Sequence, residues 1–170
     1  MSPFVSNATI VLVHGAWADG SCWQNVILPL QGEGLKVTCA PIPLTSLSDD
    51  ISSLQRSLER TSGPALLAAH AYGGAVIGGS SDARVRSLVY VAALAPSEGE
   101  TVADVYYRAK PHPEAPNLKP DANGFIWMPE GGFASAVAHD ASRDQADWHS
   151  ASPSLQESTT CSRETSLECI

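Results

Sequence analysis

Residues 9–13, Thr-Ile-Val-Leu-Val, form an unbroken apolar run rich in β-branched side chains. A strand buried on both faces of a parallel sheet reads this way, whereas a half-exposed strand alternates. The run stops at His14-Gly15-Ala16-Trp17. Apolar residues then recur at Trp23, Val26, Ile27 and Leu30, the spacing of one helix face, with Asp19 or Ser21 placed to cap it and Gly32 and Gly34 to end it. A second short run, 36–40, closes at Pro41 and Pro43. Ser48-Asp49-Asp50 is placed to cap a third segment, in which Ile51, Leu54 and Leu58 mark a helix up to Arg60. Ser62-Gly63-Pro64 breaks it. A third run, 65–69, leads through His70-Ala71-Tyr72 into a Gly- and Ala-rich helix over 73–80, and a fourth apolar run covers 88–92. Four strands alternating with helices predict an α/β fold, a parallel sheet flanked by helices and joined by right-handed crossovers.

After Pro96 the pattern changes. Residues 97–104 are polar, and Pro111, Pro113, Pro116 and Pro120 follow within ten residues. Asn123-Gly124 and Gly131-Gly132 mark turns around the apolar patch Phe125-Ile126-Trp127-Met128. Residues 133–139 fit one helix with Phe133, Ala136 and Val137 inward. From 147 the chain becomes Ser/Thr-rich and apolar-poor, the composition of a mobile or weakly helical tail. Three regions result: a core over 1–96, an irregular region over 97–146 and a tail over 147–170.

At 170 residues the chain is long enough for one domain with a sizeable core. A net charge of -8 argues against non-specific nucleic-acid binding and against anchoring to anionic membrane, both of which need basic patches. The N-terminal seven residues hold no Lys or Arg, and the small-apolar stretch 65–79 is shorter than a bilayer span. The expectation is a cytoplasmic protein that binds neither nucleic acid nor membrane. Cys22, Cys39, Cys161 and Cys169 form no C-x-x-C pair, so neither a zinc site nor a dithiol site is indicated. Residues 15–20 have P-loop glycine spacing, but Ser21 stands where the lysine belongs, and no G-x-G-x-x-G occurs. No cofactor is expected.

Two stretches carry candidate chemistry. Val11-Leu12-Val13-His14-Gly15-Ala16-Trp17 resembles the HG-x-W turn after the first strand of α/β-hydrolases, in their small esterase and hydroxynitrile-lyase-like group. Ala69-His70-Ala71-Tyr72-Gly73-Gly74 resembles their nucleophile elbow, usually G-x-S-x-G, and 121–128 resembles their cap. The resemblance covers residues 8 to about 146. It implies a partial α/β-hydrolase core with a cap-like region, and ester hydrolysis as the family activity. Ala71 would occupy the nucleophile position. The N–H groups of Ala16 and Tyr72 would form the oxyanion hole, beside the dipole of the following helix. His14, Gly15, Trp17 and His70 would contact substrate, with Trp17, His70 and Tyr72 on the pocket floor. For His14 and His70 the residues alone fit a plainer role as well, bonding or tucking beside the turns.

The departures from the family pattern are as informative. Ala71 has no oxygen with which to attack a carbonyl. No convincing buried strand follows Val91, so the strands that would carry the acid and the histidine are missing. His112, His139 and His149, with Asp140, Asp144 and Asp147, sit in loops or the tail, and sequence neighbours do not make a triad. The sequence therefore reads as a C-terminally truncated relative with a disabled acyl-transfer site, its tail an altered C-terminus. Such a protein keeps room for a small apolar ester or carbonyl ligand. Two other readings stay open: a non-catalytic ligand-binding or dimerising protein, and a hydrolase completed in trans by another chain. The run 88–92, lacking its neighbours, is expected to self-associate or to be covered by 125–150.

Overall fold

A computed structural model describes residues 7–110, 112–113, 115–129 and 131–140. The candidates Asp144, Asp147 and His149, the tail over 147–170, Cys161 and Cys169 lie outside them. Four strands, β1 (Thr9–Val13), β2 (Lys36–Cys39), β3 (Ala65–His70) and β4 (Val85–Val91), pair in parallel in the order β2-β1-β3-β4. The crossovers carry α1 (Gln24–Gly32), α2 (Leu47–Glu59) and α3 (Gly73–Gly78). Two short helices follow, α4 (Val102–Tyr106) and α5 (Gly132–Ala136). This is the parallel sheet flanked by helices that the apolar runs predict.

The continuous runs are explained by burial on both faces. Val11 and Val13 of β1 and Ala65, Leu67 and Ala69 of β3 point into the main core, against Leu54 and Leu58 of α2 and Val76 and Ile77 of α3. Leu12 and Ala68 point the other way, onto Trp23, with Ile27 of α1 alongside. α1 is thus a thin cover: no residue of it is buried, and Val26 and Leu28 are exposed.

Several local readings are corrected. The N-cap of α2 is Ser46, whose hydroxyl accepts from the Asp49 N–H at 3.1 Å; Ser48 lies inside the helix. The polar stretch after Ser97 contains α4, nucleated by a reciprocal cap between Thr101 and Asp104. In α5 only the first turn packs inward: Gly132 is buried, whereas Ala136 and Val137 are exposed. Residues 125–129 and 131–140 do not cover β4. Leu88, Val89, Tyr90 and Val91 are each 41–44% exposed.

Candidate functional site at the turn after β3

β3 ends at His70, and the chain reverses into α3 within two residues. Ala71 takes φ = 50°, the left-handed region that costs a side-chain-bearing residue about 1 kcal/mol or more. The strain is held in place by bonds on either side. The Ala71 carbonyl accepts from the N–H of Gly74 at 3.1 Å and of Leu94 at 2.9 Å. After Tyr72, positions 73 and 74 must be glycine for lack of space. A Cβ at Gly73 would lie 2.7 Å from the His14 carbonyl oxygen, and one at Gly74 would overlap the Leu94 carbonyl oxygen and sit 2.8 Å from the Ala93 Cβ. The elbow is therefore locked between the turn after β1 and the turn after β4.

The first-strand turn abuts this elbow. A Cβ at Gly15 would come within 3.0 Å of the Ala71 methyl and 3.5 Å of His70 Nδ1, so Gly15 lets the two turns meet. Together the structure brings His14, Gly15, His70 and Ala71 to one end of adjacent strands, with Ala16 and Trp17 continuing the turn. In open parallel sheets ligands bind at that carboxyl end.

His14 is buried and its Nδ1 lies 2.9 Å from the Gly15 carbonyl. A carbonyl only accepts, so Nδ1 carries the proton. Burial lowers the pKa of His14, and burial likewise lowers that of the half-buried His70, so both rings are held neutral at pH 7. Trp17, at φ = 56°, donates its indole N–H to the Ile126 carbonyl at 3.0 Å. That bond ties the first-strand turn to the segment that resembles a cap. The segment is organised by Asp121, whose carboxylate accepts from the N–H groups of Asn123 and Phe125 and from the Trp127 indole.

Tyr72 departs from the expected pocket floor. Its ring is buried in the main core, and its hydroxyl donates to Asp50 at 2.6 Å. Asp50 is fully buried in α2 and also accepts from the Leu44 N–H at 2.8 Å. Burial pushes its carboxyl up to about 6 against the opposing pull of those bonds. Sequence reasoning assigns Asp50 to the helix cap; the missed signal is its place on the stripe Leu47, Asp50, Leu54, Leu58, where an acid interrupts an otherwise apolar face.

Cys22 and Cys39 are free thiols whose pKa values desolvation raises, with Asp19 adding to the effect, which keeps both protonated. His112 and His139 are in the region after β4, away from this turn in sequence and outside the sheet. Among the described residues no group of three His, Cys, Asp or Glu is placed to hold a metal ion, and no helix is long and apolar enough to cross a membrane.

Known proteins share this fold. The profile of the Alpha/beta hydrolase family matches residues 10–166. A carbendazim-hydrolysing esterase from Nocardioides sp. (strain SG-4G) is 30% identical over 119 residues, covering 61% of this chain and 49% of the relative. The chain thus spans about half the length of that curated relative. Among solved structures, a pyrethroid hydrolase from Sphingobium faniae JZ-2 superposes with a TM-score of 0.61 at 24% identity, over 71% of this chain and 55% of the other. An extracellular α/β-hydrolase from a Paenibacillus species gives 0.65 at 20% identity, over 92% and 72%. Tomato methylketone synthase I bound to 2-tridecanone gives 0.70 at 17% identity, over 92% and 73%. These likenesses speak to the fold. With the family profile spanning the strand turns and the elbow, this chain belongs to the α/β-hydrolase family and is related to its esterases.

Proposed function

We propose that this chain is an α/β-hydrolase whose acyl-transfer site is disabled and which retains a place for a small apolar ester or carbonyl compound. The carrying observation is Ala71. It has the strained elbow conformation at the tip of β3, and a methyl stands where the family's nucleophilic oxygen would be. In this reading the Ala16 and Tyr72 N–H groups point to the substrate oxygen, and His14, Gly15, Trp17 and His70 surround it. The contact of Gly15 with the elbow and the tie from Trp17 to Ile126 support that grouping. The core over 1–96 then carries the site and 97–146 acts as its cap.

The magnitude supports inactivity. Loss of the nucleophile alone costs on the order of 10⁶ in kcat in a serine protease, and the oxyanion hole and binding leave only about 10³–10⁴ over water. Neutral, buried His14 already uses Nδ1 on the Gly15 carbonyl. The test is Ala71→Ser, assayed with p-nitrophenyl esters beside the unaltered chain. Hydrolysis by the serine variant alone is the mark of a disabled hydrolase that keeps a base within reach of residue 71. Silence from both forms favours a pure binding protein, and hydrolysis by the unaltered chain refutes the proposal.

The exposed apolar strand β4 favours a second reading, in which that edge pairs with another chain and the site is completed or stabilised there. Light scattering and amide exchange test it. A dimer with slow exchange at Val89 and Val91 supports pairing; a monomer with fast exchange there removes it.

A further inference from the structure

A concave surface lies on the opposite border of the sheet from β4, at β2. It is a groove of about 580 Å³ between the β2 edge and one face of α2. Alternation in β2 sends Lys36 and Thr38 to the same side as Ala40, which belongs to the core beneath α2. The facing wall is Ser53, Arg56, Ser57 and Arg60, one helix stripe at i, i+3, i+4 and i+7.

The charge of this groove runs against that of the protein. The chain carries 18 acidic residues against 10 basic ones, yet the groove is lined by Lys36, Arg56 and Arg60 and by no carboxylate. All three cations are exposed. The salt bridges among the described residues engage other arginines, Arg84 with Asp82 and Arg108 with Glu100. The hydroxyl protons of Ser53, Ser57 and Thr61 are used internally, on the carbonyls of Pro41, Ser53 and Leu58. The strand border adds further donors. Ala40 N–H donates to Leu12 across the β1 side, so the alternating amides of Val37 and Cys39 face outward. Three cations and an open strand edge, with no carboxylate in the lining and Asp49 on the same helix as the acid that reaches Arg56, make a surface that favours negative charge. Guanidinium forks from one helix face and an ammonium from the strand suit two separated anionic groups better than one.

The geometry points to a binding site for a small multivalent anion, a molecule bearing two or more phosphoryl or carboxylate groups, held between β2 and α2. This site is independent of the elbow and of whether the elbow is active.

The test is titration of the full chain with pyrophosphate, and separately with citrate, by calorimetry and by ¹⁵N amide shifts. Saturable binding is expected at low ionic strength, with shifts concentrated at 36–39 and 53–62 and an affinity that falls about tenfold or more by 0.2 M salt. The two titrants distinguish phosphoryl from carboxylate ligands. Arg56→Gln with Arg60→Gln is expected to weaken binding about tenfold or more, and Lys36→Gln, on the other wall, to weaken it independently, while Arg108→Gln leaves it unchanged. These side chains are exposed, and circular dichroism of each variant checks the fold. Absence of saturable binding by both titrants overturns the proposal. So do shifts spread over the surface, or equal affinity in folded variants of both walls.

Discussion

Replacing Asp50 by Asn tests how the core supports the elbow, because it keeps the shape of the side chain and removes its titration. Asp50 is fully buried, accepts from Tyr72 and Leu44, and has its pKa raised from 3.8 to about 6, chiefly by burial. A carboxyl with a raised folded-state pKa binds its proton more tightly in the folded chain than in the unfolded one. Its contribution to stability is therefore present below about pH 4 and is lost as pH rises towards and through 6. A rise of about two units corresponds to about 3 kcal/mol. Other groups titrate in the same range: His14 and His70, with lowered pKa values, gain stability as pH rises towards 6.5. Subtracting the variant from the parent cancels them. Urea unfolding of both chains at several pH values should show Asp50→Asn gaining on the parent by up to about 3 kcal/mol between pH 4 and pH 7, and no further gain at higher pH. A difference independent of pH, or one that shrinks as pH rises, refutes the assignment of a raised pKa to a buried Asp50.

Tyr72→Phe removes a donor from the same carboxylate and should cost about 1–3 kcal/mol by urea unfolding, more at pH 8 than at pH 5 because the ionised form loses most. An equal cost at both pH values would contradict this. Ala71→Gly relieves the left-handed backbone and is expected to be neutral or to stabilise by up to about 1 kcal/mol; a loss of stability would show that the methyl packs rather than strains. Gly74→Ala should destabilise by about 2 kcal/mol or more, seen as a lower Tm, since its Cβ meets the Leu94 carbonyl and the Ala93 side chain; an unchanged Tm would show that the 92–94 turn yields freely.

The sheet was legible because burial on both faces demands apolar residues at every position, and β1 and β3 carry them. β4 reads the same way, yet Leu88, Val89, Tyr90 and Val91 are exposed, so an apolar run alone does not tell an inner strand from a border one. The elbow was legible through glycines, since Gly73 and Gly74 are fixed by space that only a missing Cβ leaves. The Asp50–Tyr72 bond was not legible. Local rules place an acid after a serine at a helix start, and only tertiary packing turns α2 so that Asp50 faces inward. Trp17 stands in a motif that the sequence shows, but its bond to the Ile126 carbonyl joins residues more than a hundred positions apart, a distance over which periodicity carries no information. The groove at β2 was missed for a related reason. Lys36 and Arg56 look like ordinary surface charges until the fold sets a strand edge beside a helix face.

The proposed function requires that Ala71 ends acyl transfer in this chain. The most direct measurement is intact-mass spectrometry of the unaltered chain during incubation with p-nitrophenyl butyrate, with nitrophenol release followed in parallel. An unmodified mass and release no faster than the protein-free blank are expected. A mass increase of one butyryl group, or nitrophenol release that scales with protein concentration, would contradict the proposed function.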